Sequence, residues 1–191
     1  MCGRYVFRWE AHALEWERMK TVIGEQYPDA VIPEGDIFPG YKMPVLIKGD
    51  DKAKVRLMTW GYKGFSGGKN IINARAETAE EKQLFRQDIA LRRCAVPANG
   101  FYEWTHDDKK IKYYFSVDGS EMIFFAGMYN KDGEYVIITT DANQYMEDVH
   151  TRMPLIIERK ELLLWLNDDR YTQYFLKKRD TVLSRTASEG R

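Results

Sequence analysis

The sequence is poor in cysteine, histidine and proline, and it has no surplus of either charge. It holds two cysteines, Cys2 and Cys94, in 191 residues. Two are too few for a disulfide framework or a thiolate zinc site, so both are expected to be free thiols in a reducing compartment. Lys plus Arg equals Asp plus Glu at 29 each. A protein that coats nucleic acid indiscriminately carries a basic excess, so any such contact should be local, made by a few arginines in one groove. No apolar run approaches the roughly 20 residues needed to cross a bilayer. No basic segment precedes a short apolar core at the N-terminus, as a secretory signal would require. The expected location is therefore cytoplasmic, with no membrane partner. Repeats and low-complexity linkers are absent, and nothing suggests a metal site or a cofactor.

The chain is 44% hydrophobic and 14% aromatic, which is enough to bury a core in one domain. That domain is expected to span 1–191, with a polar, mobile tail from about 177. Helical spacing appears over Trp9–Ile23, in AETAEEKQLFRQDIAL at 76–91 with Thr78 as its N-cap, and in RKELLLWLN at 159–167. Between the helices lie short β-rich runs, PVLIK, KVRLMTWGY, RCAVPANGFYEW, KIKYYFSV, MIFFAGMY, YVIITT and MPLIIE, some separated by the turns DGS and DGE. Many strands with few helices, in no βαβ order, predict an α+β fold: a curved, largely antiparallel, barrel-like sheet with peripheral helices.

Four stretches place polar side chains in apolar settings. In GFYEW, side-chain alternation leaves two arrangements open. Either Glu103 shares an apolar face with Phe101, which would raise its pKa and suit it to acid–base work, or it faces solvent while Tyr102 and Trp104 face the core. His150 sits at a junction in VHTRMP, fit for catalysis or for a local hydrogen bond; His12 and His106 read as solvated. Asn73 and Arg75, in INAR, follow a glycine-rich loop. They could cap the next helix or hold a ligand's oxygen and a phosphate.

The fourth stretch opens the chain as MCGR. A small second residue permits removal of Met1, leaving Cys2 with a thiol and a free α-amine. An α-amine has a pKa of about 7.7–8.0 against about 10.4 for lysine, so a good fraction is nucleophilic near neutrality. The thiol, at about 8.5, should also be partly ionised. Such a pair can form a Schiff base with an aldehyde and close it to a thiazolidine, or attack an acyl group. The alternative is a small buried residue near a terminus.

MCGR, PG at 39–40, WG at 60–61, INAR followed by ET, GFYEW and HTRMP occur in this order from residue 2 to about 157. As a set they resemble the SRAP (SOS response-associated peptidase) family. The resemblance implies an α+β domain with a DNA groove that binds single-stranded DNA and crosslinks covalently to abasic sites through the N-terminal cysteine, shielding the lesion. Carried over by motif, Cys2 would be the nucleophile, Asn73 would position the amine or sugar, Glu103 would be the active-site carboxylate, and His150 the acid/base that opens the sugar. Arg4, Arg75 and Arg152 would meet phosphates, and Pro39 would pack against bases beside the lesion. The loop WGYKGFSGGKN lacks the family's proline and tryptophans, with Phe65 as a candidate stacking ring, and Phe38–Pro39 replaces the usual Ala–Pro. The partner would be single-stranded DNA containing abasic sites, bound by a monomer that is nucleoid-associated when on DNA. Two other readings remain: a cysteine (auto)peptidase using Cys2 and clipping Met1, and a non-catalytic single-stranded-DNA-binding module.

Overall fold

The computed structural model describes residues 2–10, 13–64 and 67–188. In chain order its elements are β1 (Tyr5–Phe7), α1 (Leu14–Gln26), β2 (Gly35–Ile37), β3 (Lys42–Ile47), β4 (Lys54–Trp60), β5 (Asn73–Arg75), α2 (Gln83–Leu91), β6 (Arg93–Ala98), β7 (Gly100–Trp104), β8 (Lys112–Ser116), β9 (Ile123–Tyr129), β10 (Glu134–Asp141), β11 (Arg152–Pro154), β12 (Ile156–Ile157), α3 (Leu162–Asn167), α4 (Thr172–Leu176) and β13 (Ser184–Ser188).

The strands form two sheets. In the larger, β10 pairs with β4, β4 with β3, β3 with β6, β6 with β9, and β9 returns to β10, closing an uneven ring. All of these pairs are antiparallel except β10 with β4. Past the ring, β10 continues between β5 and β11. The smaller sheet runs β13-β8-β7-β1-β2. The expected α+β class with a curved, barrel-like core is therefore found.

Burial explains the strand sequences. β6 and β9 are buried along almost their whole lengths, because ring and outer layers cover both faces, so they read as continuous apolar runs. Gly127 on β9 is where the ring is tightest: a Cβ there would sit 2.8 Å from the Val136 carbonyl oxygen and 3.0 Å from Cys94 Sγ. Inside, Tyr5 meets Trp60 at 5.1 Å between ring centroids, and its hydroxyl bonds that of Tyr135 at 2.9 Å. The paired hydroxyls satisfy polar atoms that burial would otherwise penalise.

Three sequence expectations change. First, α1 starts at Leu14; Trp9 instead packs edge-on against Trp16 and Phe7. Second, α2 starts at Gln83. Ala76–Thr78 form a separate 3-10 turn, and Thr78 does not cap: its buried Oγ1 has no hydrogen-bond partner among the described residues. Third, RCAVPANGFYEW is two strands in two sheets. The break is Asn99, whose side chain accepts from the Arg8 N–H at 2.7 Å and donates to the Arg8 carbonyl at 3.3 Å, replacing ladder bonds where the chain changes sheet. In the tail that was expected to be mobile, Ser184–Ser188 pairs along the free side of β8. His12 and Phe65 lie outside the described residues.

Candidate active site

The N-terminal segment runs beside β7. The β1–β7 register pairs Tyr5 with Phe101, and the ladder extends one step further, Tyr102 N–H donating to the Arg4 carbonyl at 3.1 Å. This lays Cys2 and Gly3 along Glu103 and Trp104. From the other side, β5 brings Asn73, whose Nδ2 donates to the Cys2 carbonyl at 3.0 Å. β5 is itself held against β10, pairing Asn73 with Ile137. At the end of β10 the chain turns through 142–149 and returns as β11, with His150 at the turn's exit. Asn73 on β5 and Glu103 on β7 thus lie beside Cys2, with His150 at the exit of the turn that leads into β11.

Strand alternation resolves the two arrangements of Glu103. Phe101 and Glu103 face inward, at 0% and 4% exposure, while Tyr102 and Trp104 are half-buried on the outer face. Burial pushes the Glu103 carboxyl above its ordinary value. Cys2 is buried too, and burial, then the neighbouring Glu103 charge, pushes its thiol well up. The partly ionised thiol expected from sequence is therefore replaced by a neutral one, with Sγ directed at the Arg4 carbonyl at 3.9 Å. His150 moves the other way. Burial, then the positive charge of the chain's amino terminus, lowers it to about 4. His150 Nδ1 accepts from the Arg152 N–H at 2.8 Å, which leaves the proton of the neutral ring on Nε2. Asn73 Oδ1 is buried and has no hydrogen-bond partner among the described residues.

The arginines divide. Arg4 lies 4.5 Å from the Phe38 ring and 5.0 Å from the Trp104 ring and reaches Asp36 at 3.4 Å. Pro39 follows Phe38 in the turn before β3, beside Gly40, whose φ of +92° requires glycine. Arg75 is exposed, with no ion pair among the described residues. Arg152, expected to meet phosphates, is paired with carboxylates in this structure. Its fork clasps Glu77 at 2.9 Å through both Nη atoms, and also reaches Asp141 and the Thr139 carbonyl at 2.6 Å each. Its Nη donors are engaged within the protein, where they tie β11 to β10 and the 3-10 turn, while its buried Nε has no hydrogen-bond partner among the described residues.

His106, read from sequence as solvated, is exposed, yet it stands beside His150. Its ring centroid lies 4.5 Å from that of His150. The available signal was position: THDDKK leaves β7 two residues after Glu103, at the same end of the strand.

The family model for SOS response associated peptidases (SRAP) matches residues 1–187. The chain belongs to this family. Among its SRAP relatives, the abasic site processing protein YoqW of Bacillus subtilis is 32% identical over 205 residues, covering 94% of this chain and 88% of its own. The abasic site processing protein YedK of Escherichia coli is 28% identical over 181 residues, covering 88% and 81%. A crystal structure of a protein from Bacteroides thetaiotaomicron superposes with a TM-score of 0.76 at 23% identity, covering 97% of this chain and 91% of that one. This likeness shows that the ring with its flanking second sheet is a shared fold.

Proposed function

We propose that this SRAP protein binds single-stranded DNA and crosslinks to abasic sites through Cys2 after Met1 is removed. The observation that carries the reading is the Asn73–Cys2 clasp set beside Glu103. A residue needed only for packing would not require its carbonyl pinned by a side chain that keeps a second buried polar atom, Oδ1, open. An α-amine on Cys2 would supply the donor that Oδ1 lacks. The names of YoqW and YedK agree with this substrate.

The acid–base state suits the chemistry. An abasic deoxyribose rests mainly as a closed hemiacetal. Opening it moves a proton from the hemiacetal hydroxyl to the ring oxygen. Glu103, whose raised pKa places it nearer neutrality, shuttles that proton, and His150 offers its Nε2–H to the oxygen on which charge builds. The Cys2 amine adds to the aldehyde carbon. Protonated Glu103 gives its proton to the departing hydroxyl, water leaves, and an iminium forms. Sγ then adds to the iminium carbon while the thiol proton passes to the Glu103 carboxylate. The balance is protein plus DNA less one water, and Glu103 ends as it began.

The same state disfavours a cysteine peptidase. That chemistry draws on a thiolate beside an imidazolium, whereas here the thiol is pushed up and His150 down. Phosphate contacts fall to Arg75 and Arg4, and Pro39 with Phe38 forms the apolar edge against which bases pack.

Intact mass spectrometry tests the proposal. The purified protein is mixed with an oligonucleotide carrying one abasic site. Loss of one methionine and a heat-stable species at protein plus oligonucleotide less one water are expected. Retained Met1, a heat-stable adduct in Cys2→Ala, or none with a processed terminus overturns the reading.

A further inference from the structure

The β7–β8 turn is short, polar and held by its own side chains. Thr105 Oγ1 accepts from the Ile111 N–H at 2.9 Å, and Asp107 Oδ1 accepts from the Lys110 N–H at 3.2 Å. These bonds bracket His106. Its ring lies across that of His150 at 4.5 Å with an interplanar angle of 50°. His106 is exposed and His150 is buried at 7% exposure, so the outer imidazole lies on the solvent side of the pair.

We propose that His106 is a positioning residue for the reaction centre: its ring seals His150 from solvent and keeps it neutral, the only form that accepts from the Arg152 N–H and presents Nε2–H inward. Protonated His150 has a hydrogen on Nδ1, which would face another N–H donor at 2.8 Å and break the bond that orients the ring. Among the groups acting on His150 are the amino-terminal charge, His106 and Arg152, all positive when charged. On its own segment, Asp148 is drawn away to Arg185 on β13 at 2.5 Å. On the turn, Asp107 is tied to Thr105, and Asp108 and Lys109 are exposed. Loss of the His106 ring would therefore act in one direction by two routes. It would admit water to His150 and remove a like charge, and both favour protonation.

The inference rests on the proposed function for its consequence in catalysis but not for its test. The imidazole resonances of His150 are titrated by NMR in wild type, His106→Ala and His106→Phe, without DNA. In His106→Ala the His150 titration should move up by about one pH unit. In His106→Phe, which keeps a covering ring but not the charge, it should move up less. Rates of adduct formation on an abasic oligonucleotide should then show a ratio of wild type to His106→Ala that grows only about 1.3-fold from pH 8 to pH 5.5 and reaches about fivefold at pH 4. An unmoved His150 titration in His106→Ala overturns the inference whatever the adduct assay gives. A moved titration with no adduct from wild type sustains the inference and sinks the proposed function.

Discussion

Asn73 and Cys2, 71 residues apart in sequence, are joined by a 3.0 Å hydrogen bond from the Asn73 side-chain amide to the Cys2 carbonyl. The bond fixes a chain end, the part of a protein that ordinarily frays. A reaction at the α-amine of Cys2 needs that end held still, and effective molarity is lost quickly when a reacting group wanders.

Asn73→Ala should therefore slow adduct formation by about 10- to 100-fold while costing about 1 kcal/mol of stability. Single-turnover rates beside thermal melts separate the two effects. A rate within twofold of wild type would remove Asn73 from the reaction.

Cys2→Ser keeps the amine and loses the sulfur that closes the ring. Its Schiff base should persist longer and undergo β-elimination of the 3′ phosphate. Denaturing gels of an end-labelled abasic strand should show more cleavage with Cys2→Ser than with wild type. Equal cleavage would mean that ring closure is not what protects the strand.

Glu103 and His150 should leave opposite marks on stability. Burial raises the Glu103 carboxyl above 4.5 in the fold, so above that pH the native state holds a proton that the unfolded chain gives up, and stability falls as pH rises. Glu103→Gln should raise Tm at pH 7 and leave it nearly unchanged at pH 4, while slowing adduct formation by about 10²-fold or more. His150 is lowered from 6.5 to about 4. Between those values the unfolded chain binds the extra proton, so stability falls as pH drops through the window. His150→Gln should flatten that acid-side loss. Melts from pH 4 to 8 decide both signs.

Arg75 and Arg152 should separate binding from folding. Arg75→Ala should weaken single-stranded-DNA binding and reduce the slope of log K against log salt by about one, with Tm unchanged. Arg152→Ala frees Glu77 and Asp141 from their clasp and should lower stability by about 1–3 kcal/mol, with the salt slope kept. A reduced slope in Arg152→Ala would show that its fork exchanges a carboxylate for a phosphate.

The strands β3, β4, β8, β9 and β10 were legible because each is a run of β-branched and aromatic residues ended by turn chemistry. Helix starts were not. Apolar spacing continued past Leu14 and Gln83 into residues that tertiary contacts hold in other shapes, Trp9 against Trp16 being one. Strand β13, with the polar sequence SRTAS, carries no apolar signal and exists because β8 offers an edge. The proposed site residues stood out as motifs. Their arrangement was not legible, since Asn73 on β5, Glu103 on β7 and His150 in the turn before β11 lie far apart in sequence and are placed only when the two sheets are assembled.

The sequence by itself determined which side chains are available: a cysteine at position 2, a carboxylate between aromatic rings, and a histidine before an arginine. These follow from composition and order, and the α+β class follows from the spacing of apolar residues. Tertiary structure alone decided their electrostatic settings. Burial depends on what the far parts of the chain place over a group, and it pushes the Cys2 thiol and the Glu103 carboxyl up and His150 down. Arg152 was turned inward for the same reason, because Glu77 and Asp141 reach it only in the folded protein.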